Sequence, residues 1–500
     1  MKKIIITFLG IVFIQFNIGC SSNQPPIYPY STIDKSTYTP NYYVSKNDFI
    51  KDINQYLTLV IEVHAEPYRL IPKSDLQKFA DSIKADILNQ PTDSIHLLDC
   101  FFYLQLLSTK IKDGHTLIRK PKNWRKLFSS QFPLILQNVN DTLVISKNLG
   151  NEKIPKNAKL LSVNENDIAT LKKQSLKYIS STLPHHRTTS WAKDFPFLLQ
   201  TFFNIQAPWV IKYEFEDLIS IDTINGLPHE EYINKYLDDY YSNQITIKTF
   251  QTDSLTIPIL KLSAFNYSSY SEYTALIDSF FSNYGNEKQI VIDVRDNTGG
   301  NGLWSLYLLD YFTNKRYSTY KTYKNRISSQ FKEWAKYQLN SYYFSEGKST
   351  NLFWYYRLFE DELYYKEILK SKNQTYVELD EQYHIPHHKK YNGDIFLLTS
   401  EKTWSAGVVF AAIFDSENMG TVVGSETGGR IGFNSDPINI ELTHTKLVAK
   451  IPTAILVLPN GNKDNGLIPD VNANMSIKEL QKGTDPCMII ITNELNTKTK

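Results

Sequence analysis

The second half of the sequence alternates short apolar segments with amphipathic ones, and this alternation constrains the fold more than any other feature. Apolar runs at 257–262, 289–294 and 391–398 predict buried strands, and the segments between them predict helices. Strands that alternate with helices build a largely parallel sheet whose functional loops lie at strand ends. We therefore predict an α/β domain at 256–480, with an insertion at 315–390 that either covers the site or decorates the surface.

The segment 393–430 contains the serine that is best placed to act as a nucleophile. The apolar run 395–398 predicts a strand and the small, apolar segment 406–414 predicts a helix, so Ser405 lies where the helix begins. Backbone N–H groups at a helix start have no intrahelical acceptor and can bind a developing oxyanion. Serine also caps helices often, so this arrangement leaves both roles open.

A glycine pair follows the predicted strand at 289–294. Gly299 and Gly300 permit positive φ and can direct backbone N–H groups at one point, as an oxyanion hole requires. The alternative is a plain strand-to-helix turn with Asp293 and Arg295 paired beneath it.

Together these segments resemble the tail-specific or C-terminal processing peptidases and their tricorn-core relatives, a family of serine peptidases. The family's Asp-Leu-Arg-x-Asn-x-Gly-Gly is matched at 293–300, with Val294 in place of leucine. Four more motifs keep the family's order: Asp-Gly-His-Thr at 113–116, Thr-x-Ser-Ala at 403–406, Gly-x-x-Thr-x-Gly at 424–429 and Gly-x-x-Pro-Asp at 466–470.

The resemblance implies a ClpP/crotonase-like α/β catalytic domain that acts on polypeptide substrates without a metal or an organic cofactor. It makes Ser405 the nucleophile and gives the oxyanion hole to Gly299 or Gly300 together with the Ala406 N–H. The chain as a whole is then α+β, with a helical region and a small β-rich module before the catalytic domain.

The residue at the position of the general base differs from that in one branch of this family. The tail-specific branch has a lysine after Gly-x-x-Thr-x-Gly, where this chain has Arg430, and a guanidinium stays protonated at any physiological pH. The tricorn-like branch uses the histidine of Asp-Gly-His-Thr, which implies His115 and an activity limb at about pH 6 to 7. Either Glu426 or Asp464 is implied as the acid that orients the base.

The amino terminus resembles a bacterial lipoprotein signal. Lys2 and Lys3 precede an apolar stretch at 4–18 that is short for a membrane span, and Gly19-Cys20 follows. This implies cleavage after Gly19, a lipid on Cys20 and anchoring in the cell envelope at a periplasmic or surface face. An ordinary signal peptide is the alternative, and in either case 1–19 is the signal and 20–45 a tether.

The middle of the chain divides by pattern. A helical periodicity covers 46–125, and short strands follow at 126–176, where 157–164 resembles a PDZ-type module whose sheet edge accepts an extended peptide. We assign 177–255 to a connecting region and 481–500 to a carboxyl-terminal tail.

Composition excludes other classes of protein. The net charge of +2, from 54 basic and 52 acidic residues, implies no nucleic-acid partner. Cys100 and Cys487 make no disulfide framework. The histidines at 185–186 and at 384, 387 and 388 have no carboxylate or cysteine at metal spacing, so we expect solvated loop residues and no metal site.

We therefore interpret the chain as an exported, lipid-anchored serine endopeptidase. The sequence predicts no particular oligomeric state. One alternative is a catalytically inactive family member that binds peptides through 131–176. Another, suggested by 33 tyrosines and 7 tryptophans, is an envelope protein associated with carbohydrate or peptidoglycan.

Overall fold

The computed structural model describes residues 27–28, 40–150, 153–242, 244–252, 255–344, 363–461 and 463–498. The predicted signal peptide, Cys20 and most of the predicted tether lie outside these ranges. Among the helices of the described ranges, none combines the length and the apolar character needed to cross a bilayer.

Helices occur throughout the described ranges, and residues 363–370 are also helical. The labelled helices are α1 (Lys46–Val63), α2 (Lys73–Leu88), α3 (Leu97–Thr109), α4 (Ile168–Ser175), α5 (Pro184–Thr201), α6 (His229–Ser242), α7 (Tyr270–Tyr284), α8 (Gly302–Leu309), α9 (Ser329–Phe344), α10 (Ala406–Ser416), α11 (Ile477–Lys482) and α12 (Pro486–Lys498).

The strands form three six-stranded sheets and two two-stranded sheets. They are β1 (Ile27–Tyr28), β2 (Tyr43–Ser45), β3 (Ser94–His96), β4 (Leu117–Ile118), β5 (Leu134–Val139), β6 (Thr142–Asn148), β7 (Lys159–Val163), β8 (Asn166–Asp167), β9 (Trp209–Phe215), β10 (Leu218–Ile224), β11 (Ile245–Gln251), β12 (Thr256–Leu262), β13 (Gln289–Asp293), β14 (Tyr317–Tyr320), β15 (Thr322–Arg326), β16 (Tyr376–Leu379), β17 (Gln382–His384), β18 (Asp394–Thr399), β19 (Thr421–Gly424), β20 (Phe433–Glu441), β21 (Val448–Val457) and β22 (Val471–Asn472). The two-stranded sheets are β2 with β3 and β14 with β17.

The central sheet has the order β11-β12-β13-β18-β19-β22, and every pair in it is parallel except β11 with β12. Successive residues of a strand point to opposite faces, and both faces of β13 are covered. Ile290 and Ile292 belong to the core that includes residues of α8 and α10, whereas Val291 packs in a second core with Met488 of α12. The predicted α/β layer is confirmed.

The amino-terminal helices and a second sheet precede the catalytic layer along the chain. The apolar face of α1 is buried at Phe49, Ile53, Tyr56, Leu57, Val60 and Val63. Asp167 caps α4 by accepting the Thr170 N–H at 3.0 Å. The second sheet has the order β10-β9-β7-β6-β5, with β8 on β7. Its strands β9 and β10 come from the segment that the sequence pattern assigned to a connection.

The third sheet joins distant parts of the chain and brings them to the catalytic layer. Its order is β1-β20-β21-β15-β16, and β4 also pairs with β21. The inserted segment therefore contributes β15 and β16 to a shared sheet, because its strand β15 pairs antiparallel with β21. The chain immediately after His115 is fixed by the same sheet, since Ile118 of β4 lies opposite Ala449.

Candidate active site

The two predicted catalytic loops meet because they follow adjacent parallel strands. β13 and β18 pair in parallel, so their carboxyl ends lie at the same edge of the sheet. The Trp404 N–H donates to the Asn297 carbonyl at 2.8 Å, and Thr403 Oγ1 donates to the Val294 carbonyl at 2.8 Å. These bonds hold the serine loop against the glycine loop.

Ser405 has a strained backbone, and its side chain does not cap the helix that it begins. It occupies the N-cap position of α10 with φ 55° and ψ −120°, and its side chain makes no capping hydrogen bond. A non-glycine residue in such a region costs on the order of 1–3 kcal/mol, which packed surroundings must offset. The interpretation of Ser405 as a mere helix cap is therefore wrong.

The glycine pair lies directly against the serine. Gly299 and Gly300 have φ of 100° and 135°, and a Cβ on Gly299 would lie 2.7 Å from Ser405 Cβ. The Gly299 N–H donates to Asn297 Oδ1 at 2.9 Å, so this amide is already used. Within the described ranges, the Gly300 and Ala406 amides have no hydrogen-bond acceptor, so Gly300 rather than Gly299 has an amide available to a ligand.

The ion pair that the plain-turn alternative requires is also present. Arg295 Nε donates to Asp293 Oδ1 at 3.0 Å, and the same guanidinium lies 2.8 Å from Asp485 Oδ2. The two interpretations are therefore compatible, because the ion pair anchors the loop from below while the glycines face Ser405.

His115 contacts Ser405 although the two residues are 290 positions apart in the sequence. Its Nε2 lies 3.2 Å from Ser405 Oγ, and the two residues are 3% and 1% exposed. The imidazole stacks between Trp404, at 4.2 Å between ring centroids, and Phe433, at 5.4 Å. Two aromatic faces thus fix the plane in which Nε2 meets the hydroxyl.

Asp113 fixes the backbone of the histidine loop. Its Oδ1 accepts a hydrogen bond from the His115 N–H at 3.0 Å, and its Oδ2 accepts one from the Thr116 hydroxyl at 2.9 Å. The same Oδ2 lies 3.0 Å from His64 Nε2. Because His64 Nδ1 accepts the Glu66 N–H at 3.0 Å, the proton of a neutral His64 is on Nε2 and is donated to Asp113.

Burial and neighbouring charges set the protonation states of His115 and Asp113. Burial lowers the pKa of His115 to about 3, with Lys450 acting in the same direction, while Asp113 and a hydrogen bond from the ring to the Asn434 backbone act to raise it. Burial acts to raise the pKa of Asp113, but the contacts with His64 and His115 together outweigh burial and leave the pKa at about 2. His115 is therefore neutral and Asp113 ionised near neutral pH.

The Asn434 backbone acts on the His115 ring and favours its protonated form. Since Nε2 faces Ser405, Nδ1 is the nitrogen that remains for this contact. A proton held on Nδ1 leaves the lone pair of Nε2 free to accept from the serine hydroxyl.

The two candidate orienting acids do not contact His115 in this structure. Glu426 Oε1 accepts the Gly466 N–H at 2.7 Å and so fastens the Gly-x-x-Pro-Asp motif. Asp464 is 84% exposed at its side chain and lies 2.8 Å from Arg69 and 3.3 Å from Arg430. Arg430 is buried and donates from Nε to the Gly432 carbonyl at 2.9 Å.

Sequence reasoning missed the residues that position the dyad. Trp404 and Asn297 lie inside the matched motifs and could have been noticed there, as the residue before the serine and as the motif's own asparagine. His64, Phe433 and Asn434 carry no local signal, since only packing brings His64 to Asp113 and the other two residues to His115.

The expectation that the histidine clusters are solvated loop residues is wrong for His185, His186 and His384, whereas His387 and His388 lie in the loop after β17. His185 and His186 lie in α5, where His185 Nε2 is 3.0 Å from the Thr427 carbonyl oxygen and the His186 ring stacks on Trp404 at 5.4 Å. His384 is buried and lies 2.6 Å from Asp310, a carboxylate that the sequence spacing did not reveal.

Comparisons with known proteins agree with this geometry. A search of curated protein sequences gives no match. A structure of mature CPAF complexed with lactacystin superposes with a TM-score of 0.62 at 14% identity, over 87% of this chain and 95% of that one. A crystal structure of mature CPAF gives a TM-score of 0.61 at 14% identity, over 87% and 94%. Such low identity shows the fold alone.

A family model adds the chemistry to this likeness of fold. The model for peptidase family S41 matches residues 256–473, which include the glycine pair, the serine and the closing motif. Residues 256–473 therefore form a domain that matches peptidase family S41, and the chain is a serine peptidase.

Proposed function

We propose that the chain is an exported, lipid-anchored endopeptidase that cleaves polypeptides through an acyl-enzyme on Ser405. The observation that carries the proposal is the 3.2 Å separation of His115 Nε2 and Ser405 Oγ. A hydroxyl within hydrogen-bond reach of an unprotonated imidazole is the arrangement that nucleophilic catalysis needs.

Each step uses a group that is already in position. His115 Nε2 takes the hydroxyl proton while Ser405 Oγ bonds to the peptide carbonyl carbon, and the Gly300 and Ala406 N–H groups receive the oxyanion. His115 then gives its proton to the leaving amine as the C–N bond breaks. Water attacks the acyl-enzyme with the same histidine as base, which releases the acid and restores Ser405.

The residue at the lysine position supports a histidine base. Arg430 donates to the Gly432 carbonyl and lies 3.3 Å from Asp464, and a guanidinium remains charged over the whole accessible pH range. Proton acceptance therefore belongs to His115.

Substrate access requires local movement. Ser405 and His115 are almost fully covered, so a polypeptide reaches the hydroxyl only when neighbouring side chains shift. A cleft of about 560 Å³ lies beside the loop at 425–427, and Asn138 next to the edge of the second sheet lines it with Glu401 and His185. We propose that the polypeptide enters along this cleft.

Export and anchoring rest on the sequence at the amino terminus. The short apolar segment that ends in Gly19-Cys20 supports cleavage and lipidation at Cys20, with Ser21 and the following residues as the tether.

The test is turnover of an unstructured protein by the full chain purified in detergent. The wild type should cleave casein and react with a fluorophosphonate probe, and Ser405→Ala should do neither. Ser416→Ala is the matched control, because Ser416 ends the same helix and its hydroxyl only donates to the Ile413 carbonyl at 3.1 Å. Equal cleavage by Ser405→Ala and the wild type would refute the assignment.

The second candidate is a catalytically inactive member that binds peptides through 131–176. It is favoured by Arg430 in place of the lysine and by the position of β5 at the edge of the second sheet, where a peptide strand could add. Peptide binding by a folded wild type that shows neither cleavage nor probe labelling would support this candidate.

A further inference from the structure

A cluster of two histidines and a buried aspartate lies at the base of the inserted segment. Asp310 follows the last residue of α8, His384 ends β17, and His387 lies in the loop after it. One ligand atom from each of the three residues lies within 4.8 Å of the others. His384 Nε2 is 2.6 Å from Asp310 Oδ1, and His387 Nδ1 is 3.6 Å from Asp310 Oδ2.

We propose that Asp310, His384 and His387 bind one Zn²⁺ ion that fastens the inserted segment to the catalytic domain. This inference is independent of the proposed peptidase mechanism, because none of the three residues belongs to the Ser405 site. Two imidazole nitrogens and one carboxylate oxygen form a donor set that suits zinc, whereas magnesium and calcium prefer oxygen donors throughout.

The carboxylate is already oriented as a metal ligand would be. Asp310 is 3% exposed, its Oδ1 accepts the Tyr317 hydroxyl at 3.1 Å, and its Oδ2 accepts the His387 N–H at 3.3 Å. Hydrogen bonds of this kind fix the direction of a ligating carboxylate and sharpen the site. Burial also makes the negative charge costly without a cation, so a divalent ion would stabilise it strongly.

Little movement is needed to complete the site. Ligands at about 2.1 Å from a tetrahedral zinc ion lie roughly 3.4 Å from one another, so the separations here need only a small adjustment. His384 and Asp310 are buried and paired with structured neighbours, while the His387 side chain is 55% exposed and lies on a loop. His387 is therefore the ligand that can turn to close the site, and water can take the fourth position.

The positions of the three ligands along the chain indicate that the ion would cross-link the two ends of the inserted segment. Asp310 lies just before the inserted segment, and His384 and His387 lie near its end, so one ion would close a long loop at its base. Tyr317 and His384 are already opposite each other in the β14–β17 pair. A cross-link that closes a long loop removes freedom from the unfolded chain and stabilises the folded one.

The experiment measures zinc binding by the tag-free full chain in detergent after removal of metals with a chelator. Wild type should bind about one Zn²⁺ per chain, measured by elemental analysis after desalting, and added Zn²⁺ should raise its unfolding temperature by a few degrees. Titration should show that His387→Ala binds Zn²⁺ with an affinity at least about tenfold lower than that of the wild type. A tenfold loss is the scale expected from removing a supporting contact alone, and a direct ligand should matter at least as much.

Variants distinguish the site from incidental histidine binding. His388→Ala is the matched control, because His388 is the next residue and stacks on Tyr311 at 4.3 Å without joining the ligand set. It should keep the stoichiometry and the temperature shift. Asp310→Asn and His384→Gln should lose both, and His387→Ala tests the site at an exposed position if the buried variants fail to fold.

Two outcomes would overturn the proposal. Wild type that retains no zinc and shows no shift in unfolding temperature would mean that the cluster is only an ion pair between Asp310 and the histidines. Equal zinc affinity in the wild type and in folded His387→Ala would place the bound metal elsewhere.

Discussion

Replacing Gly299 by alanine should have two effects: displacement of the Ser405 nucleophile, and strain in the backbone at a positive φ. A Cβ at this position would lie 2.7 Å from Ser405 Cβ, whereas ordinary contacts begin at 3.4 Å. One of the two residues must therefore move by about 0.7 Å, since a packed interior leaves no free space to absorb the methyl group. The positive φ of 100° adds strain for any residue with a Cβ.

A control variant isolates the second of these effects. Gly461 has φ of 98°, and a Cβ there would meet nothing within 4 Å. Gly461→Ala and Gly299→Ala should both lose on the order of 1–2 kcal/mol of unfolding free energy to strain at positive φ. Only Gly299→Ala should also displace the serine, and a displacement approaching 1 Å can cost about 10²-fold in rate.

The assay is kcat/KM on a fluorogenic peptide, alongside urea unfolding of each variant. Gly461→Ala should keep kcat/KM within about twofold of wild type, and Gly299→Ala should lose on the order of 10²-fold while still folding. A folded Gly299→Ala with wild-type kcat/KM would show that the contact with Ser405 does not position the nucleophile.

Three further predictions concern the base, the anchor and the arginine. Because burial lowers the pKa of His115, the acidic limb of kcat/KM should lie well below the 6 to 7 of an ordinary histidine, with activity lost only as the pH falls toward about 3 and the imidazole gains a proton; a pH profile with a half-maximum at 6 to 7 would contradict the buried base. Cys20→Ala should move the protein from detergent-extracted membranes to the soluble exported fraction, and fractionation that shows unchanged membrane association would exclude a lipid on that cysteine. Arg430→Lys should lose the hydrogen bond to the Gly432 carbonyl and about 1 kcal/mol of stability without adding an alkaline limb, so faster turnover at high pH in that variant would show that an amine at this position acts as a base.

The same titration has a consequence for stability. The pKa of His115 is lower in the folded state than in the unfolded chain, so below its ordinary value of 6.5 the unfolded state binds the proton more tightly. The contribution of the neutral, buried His115 to stability is therefore present above pH 6.5 and is lost as the pH falls from 6.5 toward about 3. The pH profile of activity must be read together with circular dichroism over this range.

The sequence by itself determined the local elements of the catalytic layer. The apolar runs predicted β12, β13 and β18, and the small residues after Ser405 predicted α10, because strand and helix periods are properties of short segments. The positive φ of Gly299 and Gly300 was likewise predictable, since residues without a Cβ are selected for that conformation.

Only the tertiary structure decided how these elements combine into a site. The 3.2 Å contact of His115 with Ser405 depends on the pairing of β4 with β21 and on the packing of Trp404 and Phe433 around the imidazole. The preference for Gly300 over Gly299 depends on which amide Asn297 occupies. The meeting of Asp310 with His384 joins opposite ends of the insertion. Such contacts leave no periodic trace in the sequence, because they arise from the packing of segments that are far apart along the chain.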